Sequence, residues 1–266
     1  MSDSGLPAPM VDALQKHCHR LGCFAGRVRY LREIRSTNDK AIELALAGAS
    51  EGTTVVAGAQ TAGRGRRGRS WSSPKDAGLY ASVVFRQPAL SPLMTLMSGV
   101  ALAEAIRRKT KVTVTLKWPN DLVVKRNVRR KLGGILAEAG LSPTGRAHVV
   151  VGFGINLRAV PRPATAPGEV TSIEGECGDV VPLESLLVEV LVSLVAWRET
   201  MIAGRTGAIL DRWRTLSPSS TAAMVELAGP SGPRRGTTAG IDADGALLVR
   251  IDGATERVVA GELRWV

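Results

Sequence analysis

Apolar positions along the chain change their period repeatedly, and each change marks an element. After an irregular start, "VDALQKHCHRLG" (11–22) has weakly helical spacing. In "STNDKAIELALAGAS" (36–50) apolar residues return every three or four positions, which predicts a helix with Ser36 and Asp39 as a capping box. "GTTVVAGAQ" (52–60) and "LYASVVF" (79–85) predict strands, and "PLMTLMSGVALAEAIRRK" (92–109) a helix with proline near its first turn and cations in its last. Four apolar runs follow in close succession, "KVTVTLKW" (111–118), "DLVVK" (121–125), "KLGGILAEAG" (131–140) and "HVVVGFGINL" (148–157), and they predict a mixed sheet. "PRPATAPG" (161–168) reads as a loop. A long amphipathic helix (182–204) and a shorter one (207–216) come next. From about Ala222 the pattern shifts to short strands, 224–228, 236–241, 246–251 and 257–266, with "DADG" as a turn. The expected organisation is an extension over 1–30, an α+β domain over 31–221, and a small all-β module over 222–266.

Length and composition add a globular class: 266 residues, 44% of them hydrophobic, suffice for a real core. No run approaches the eighteen or so apolar residues of a membrane span, and "MSDSGLPAPM" lacks a signal-peptide pattern, so no membrane partner and a cytoplasmic location are expected. Three cysteines without a C-x-x-C pair indicate neither a disulfide framework nor a Cys-rich zinc site. "HCHRLGC" (17–23) is short for a metal site, and a terminal helix face explains it equally well. The net charge of +11 raises nucleic acid as a partner, but much of the excess sits in "RGRRGR" (64–69) and "KRNVRRK" (125–131). Two local clusters in a chain poor in aromatic residues suggest a compact anionic ligand instead.

The first cluster, "GRGRRGRS", fits both G-x-G-x-x-G and, with Arg69 for lysine, the phosphate-binding P-loop pattern. Both motifs need a helix to begin at the last glycine, and "WSSPKDAG" follows instead. The chemistry must therefore come from side chains and free amides: glycines let the backbone close around an anion, and guanidinium groups grip carboxylate or phosphate. The alternative is a solvated loop, against which stands the repulsion of like charges packed without a counter-anion. In "LKWPND", Pro119 interrupts a strand and gathers Lys117, Asn120 and Asp121 at its end. Such a group could hold a nucleotide and its Mg²⁺, or simply form a turn. Lys131 opens a strand whose Gly133 and Gly134 admit a ligand or another backbone, and "GFGIN" repeats that design with Asn156.

Taken in order, "STN", "GRGRRGRSW", "KWPND", "RKLGGIL-E" and "GFGIN" resemble biotin protein ligase, from about Arg35 to the C-terminus. The resemblance implies a class II synthetase-like catalytic domain of mixed sheet and helices plus an SH3-like C-terminal domain. It implies a reaction in which biotin and ATP, with Mg²⁺, give biotinyl-5′-AMP, which then passes to a lysine of a biotin carboxyl carrier (biotinyl) domain. Two anions must meet, so fixed cations are required, and the adenylate must be kept from water. The resemblance assigns Ser36, Thr37, Asn38 and Gln60 to the biotin end. It gives Arg64, Gly65 and Arg66 contacts to biotin and the adenylate phosphate, and makes Lys131 the bridge between biotin carboxylate and phosphate. Gly63, Arg67, Arg69, Trp71, Lys117, Asn120, Asp121 and Asn156 fall on the nucleotide side, with Asp121 a candidate for the metal and for orienting the incoming lysine. Trp71 fits the adenine or the core. "TSIEGECGD" (171–179) matches loosely and receives no site. Only about 35 residues precede "STN", too few for a DNA-binding helix-turn-helix, so no DNA partner is expected. A homodimer paired through the sheet stays open. The basic face would suit an acidic acceptor domain. The rival readings are a lipoate or octanoate ligase of the same fold and, in another class, a basic nucleic-acid-binding module.

Overall fold

The structure, a computed structural model, describes residues 5–86, 92–159, 168–229, 232–259 and 263–266. Its elements run α1 (Ala8–Lys16), β1 (Val28–Ile34), α2 (Thr37–Leu46), β2 (Thr54–Gln60), β3 (Gly78–Phe85), α3 (Pro92–Thr110), β4 (Val114–Lys117), β5 (Asp121–Lys125), β6 (Arg129–Leu141), β7 (Ala147–Asn156), β8 (Glu169–Val170), α4 (Ile173–Cys177), α5 (Leu183–Ile202) and α6 (Thr206–Leu216). The C-terminal strands are β9 (Thr221–Gly229), β10 (Gly232–Ile241), β11 (Leu247–Ile251), β12 (Ala254–Val258) and β13 (Leu263–Trp265). Two sheets result. The first has the order β1-β2-β3-β7-β6-β5-β4, with β8 beside β6; it is mixed, because β1 pairs parallel with β2 while the path from β2 to β4 is antiparallel. The second, β12-β11-β10-β9-β13, is antiparallel throughout and fits an SH3-like module.

Central strands of the first sheet are covered on both faces, which is why β2 and β3 read as unbroken apolar runs. Leu79, Ala81, Val83 and Phe85 of β3 join the large core with α3 and α5, whereas Val84 joins Ala41 and Ala45 of α2, with Val55 and Val150, on the opposite face. Side chains alternate along a strand, so the α2 face also carries Ser82, Gly152, Gly154 and Asn156. Across the next pairing it gains Gly134 and Glu138, which lie opposite Gly154 and Val150. Helix α2 covers only one end of that face. The other end is floored by glycine, and the catalytic candidates surround it. The second sheet docks at the far edge, where the ring N–H of Trp118 donates to the Gly245 carbonyl at 3.0 Å. Among the described residues no helix is long and apolar enough to cross a membrane.

Several elements depart from the sequence expectation. Strand β1 was not foreseen: in "VRYLREI" the apolar residues do not alternate, because Arg29, Arg32 and Glu33 sit on an exposed edge. Residues 11–22 divide into the end of α1 and short 3₁₀ turns, and Met10, Leu21 and Phe24 are buried in the large core. The run 257–266 is not one strand but parts of two, β12 and β13, on opposite edges of their sheet, with 260–262 outside the described residues. The loop expected over 161–168 also lies outside them, apart from Gly168. "TSIEGECGD" is not a plain loop: Ser172 caps α4, its Oγ accepting from the Gly175 N–H at 3.2 Å.

Candidate functional site

One end of the site is neutral and buried. Ser36 caps α2, accepting from the Asp39 N–H at 3.4 Å. The N–H and hydroxyl of Thr37, in the first turn, both donate to Gln60 Oε1, at 2.8 and 3.1 Å. Gln60 then donates from Nε2 to Ser73 Oγ at 2.8 Å. Ser82 Oγ lies 2.8 Å from Thr37 Oγ1 and donates to Asn38 Oδ1 at 2.6 Å. Asn38 passes the chain on to Glu138 at 2.7 Å. Gly152 makes room for it: a β-carbon there would lie 1.8 Å from Asn38 Oδ1. Interlocked hydrogen bonds fix the orientation of each member, so this end offers directional donors and acceptors on uncharged side chains, with charge only at its border, on Glu138.

The arginine-rich stretch doubles back on itself. Trp71 N–H donates to the Gly63 carbonyl and Gly65 N–H to that of Arg69, at 2.8 and 2.7 Å, around a 3₁₀ turn at Arg66–Gly68. Arg67 and Gly68 take left-handed φ of 59° and 72° to close it. Gly63 cannot carry a side chain, since a β-carbon would meet the Trp71 carbonyl at 2.5 Å. The four arginines separate. Arg64 grips Glu138 with both terminal nitrogens, at 2.9 and 2.5 Å, and reaches Asp39 at 2.8 Å. Part of the counter-charge that this loop needs is thus built into the protein. Arg66 turns toward the other end and donates to Asn120 Oδ1 at 3.4 Å; burial lowers its pKa while Asp121 pulls the opposite way. Arg67 and Arg69 are exposed, and the charge of Arg69 bears on both Lys117 and Arg66.

The second end is charged. Lys117 closes β4 directly across from Asp121, which opens β5, and a cis Trp118–Pro119 peptide lies in the turn between them. Asn120 is held by Ile135, donating to its carbonyl from Nδ2 at 2.7 Å. Asp121 Oδ1 meets Lys131 Nζ at 2.6 Å, and that ammonium stands 5.4 Å from the centre of the Trp71 ring. Trp71 lies on the glycine floor: β-carbons at Gly154 and Gly134 would come within 2.3 and 3.3 Å of its ring. Its ring N–H is buried without a partner. Burial draws the Lys117 ammonium below the usual lysine range, with Asp121 opposing. Trp265 of the second sheet approaches the same corner, its ring 5.8 Å from Lys117 Nζ and 5.2 Å from Arg129. Asn156 is buried, donating to the Thr171 carbonyl at 3.0 Å, and stands behind the corner.

Two carboxylates escaped the sequence reading. Glu138 lies inside "RKLGGIL-E", yet only the tertiary structure joins it to Arg64 and Asn38. Glu176, whose side chain is 2% exposed, binds Arg126 at 3.1 Å, Arg130 at 2.8 Å and the Thr171 hydroxyl at 2.5 Å. It ties α4 to the β5–β6 hairpin that carries Lys131. A signal for α4 was present in "TSIE", which reads as a capping box one residue early. Among the described residues no three His, Cys, Asp or Glu side chains gather as a metal site would require.

Residues 30–156 match the sequence model described as the biotin/lipoate A/B protein ligase family. The chain is 32% identical to the bifunctional ligase/repressor BirA of Salmonella typhimurium, over 97% of this chain and 79% of that protein. It is 30% identical to a biotin–[acetyl-CoA-carboxylase] ligase of Paracoccus denitrificans, over 86% of this chain and 96% of the other. Among solved structures, a biotin protein ligase from Aquifex aeolicus in complex with biotin and ATP superposes with a TM-score of 0.76 at 26% identity, covering 91% of this chain and 99% of that one.

Proposed function

The chain belongs to the biotin/lipoate A/B protein ligase family, and from that premise we propose how its residues divide the work of joining biotin to a protein lysine. The reaction has two steps. A biotin carboxylate oxygen attacks the α-phosphorus of ATP, the bond to the β-phosphate breaks, and pyrophosphate leaves. The lysine amine of a carboxylase biotinyl domain then attacks the carbonyl carbon of biotinyl-5′-AMP, expelling AMP and losing a proton as the amide forms.

The observation that carries this division is the polarity of the α2 face of the sheet. Its buried, uncharged chain of Thr37, Gln60, Ser73, Ser82 and Asn38 suits the neutral ureido ring of biotin. At the other end, Lys131, Lys117 and Arg66 face a place where carboxylate and phosphate must meet. Lys131 then sits between the two anions and cancels their repulsion, and Arg66 closes over the phosphate. Asn120 and Lys117 hold the nucleotide, with Asn156 behind them. Asp121 keeps Lys131 oriented before substrates arrive and orients the acceptor amine afterwards. A Mg²⁺ brought with ATP would find one protein oxygen at this corner, on Asp121, and would supply positive charge to the phosphates. The Trp71 ring, placed on glycine, offers a flat face for the adenine.

Isotope exchange of pyrophosphate into ATP, with Mg²⁺ and either no acid, biotin or lipoate, tests this reading. Exchange dependent on biotin alone is expected. Exchange with lipoate alone would transfer the assignment to the lipoyl branch of the family, and none with either would overturn the adenylate mechanism.

A further inference from the structure

Glu138 has no part in the division of labour above, yet it stands where the neutral end of the site meets the arginine loop. One carboxylate holds two partners: both oxygens take the Arg64 guanidinium, at 2.9 and 2.5 Å, and Oε2 also accepts from Asn38 Nδ2 at 2.7 Å. The same guanidinium reaches Asp39, in the first turn of α2, at 2.8 Å. Bidentate pairing fixes a guanidinium in direction as well as distance. The backbone around Arg64 is a narrow return, bridged from Arg64 to Ser70, so holding that side chain holds the near half of the loop against the sheet. With two carboxylates on one guanidinium, Arg64 contributes no free positive charge to the phosphates. Its role therefore differs from that of Arg66 and Lys131.

We infer that Glu138 is a positioning residue that latches the arginine loop through Arg64, and that the strength of this latch sets how long the adenylate stays bound. The inference rests on the biotin ligase reading for the identity of the adenylate, but the latch itself does not. Asn38 makes the latch sensitive to the biotin end: the chain running Gln60, Thr37, Ser82, Asn38 leads to the carboxylate that holds the loop. A ligand that fixes Asn38 also fixes Glu138, and with it the hold on Arg64.

The test begins with the ligand-free protein and trypsin, because Arg67 and Arg69 offer exposed cleavage sites within the loop. Glu138→Gln keeps the shape and can still accept from Asn38, but loses the charge pairing. Cleavage at Arg67 and Arg69 is expected to accelerate about three- to tenfold, the range of a partly exposed ion pair. Preformed biotinyl-5′-AMP should leave the variant faster by a similar factor, while pyrophosphate exchange changes less. Arg64→Gln should reproduce both effects, and the double variant should add little to either single one, as expected of partners in one contact. Unchanged cleavage and release in Glu138→Gln, with exchange lowered through a raised KM for biotin, would overturn the latch and leave Glu138 as a support for Asn38. Should the wild-type chain fail to exchange pyrophosphate with biotin, the substrate reading falls, and the trypsin comparison still decides the latch.

Discussion

The two ends of the site sit on one sheet face and are built on opposite principles. At the α2 end the inner side chains, Thr37, Asn38, Ser82 and the half-buried Gln60, are uncharged and bonded to one another, so they offer direction rather than charge. At the β4–β6 corner the groups are charged and half-buried, and Lys131 and Asp121 pair with each other. The first end can be preformed because neutral hydrogen bonds satisfy each other without a ligand. Cations gathered at one corner repel, so the second end carries its own counter-charge in Asp121. On the proposed division, a rigid biotin end and exchangeable partners at the phosphate end follow from this difference in charge.

The comparison breaks most sharply at Lys131. Lys131→Ala removes the cation we place between the two anions and leaves Asp121 without its partner, and adenylation should fall about a hundred- to thousandfold in single-turnover assays. A loss smaller than tenfold would remove Lys131 from the bridging role. Arg66→Gly comes next: activated biotin should escape before transfer and label lysines of a bystander protein such as serum albumin, while adenylate still forms. An unchanged adenylate lifetime in that variant would refute the loop's part in retention. At the neutral end, Gln60→Leu strips partners from Thr37 and Ser73. The KM for biotin should rise about tenfold, on the scale of buried polar groups left unpaired, with the KM for ATP nearly unmoved. Equal shifts in both would show that the ends do not divide the substrates. The smallest effect concerns pH. Burial lowers the Lys117 ammonium, so it deprotonates as the pH rises before an ordinary lysine does, near 10.4. The kcat/KM for ATP should therefore decline on the alkaline side below that value, and Lys117→Arg should push the decline upward, because a guanidinium stays charged.

Legibility in the sequence followed how local each cause was. The cap at Ser36 was readable because its partner, Asp39, is three residues away. The long apolar runs of β3 and β7 were readable because burial on both faces leaves few polar positions, chiefly Ser82, His148 and Asn156. Strand β1 was hidden because an edge strand tolerates charge where a central one does not. Glu176 was hidden because a buried carboxylate with two arginine partners looks, in one dimension, like any other acid of "IEGEC". The glycines of "KLGGIL" and "GFGIN" announced a close approach without saying of what. The fold answers differently at each: the Gly133 position faces the Gly154 carbonyl, and Gly134 and Gly154 together seat Trp71.

What the chain determines by itself is therefore the inventory of parts: a capped helix, a glycine–arginine turn that cannot continue as a helix, strand ends bearing Lys117 and Asp121, and a change of pattern near Ala222; Lys131, expected to open its strand, is the third residue of β6. Those features depend on dihedral preference, periodicity and charge density, which act over a few residues. The pairing of the parts was decided only in three dimensions. Arg64 and Glu138 are 74 positions apart, and Arg66 and Asn120 are 54 apart. Which arginine is neutralised by the protein, and which turns toward Asn120 and Asp121, depends on strand register and on which face of the sheet each side chain occupies. Neither is encoded in the spacing of residues along the chain.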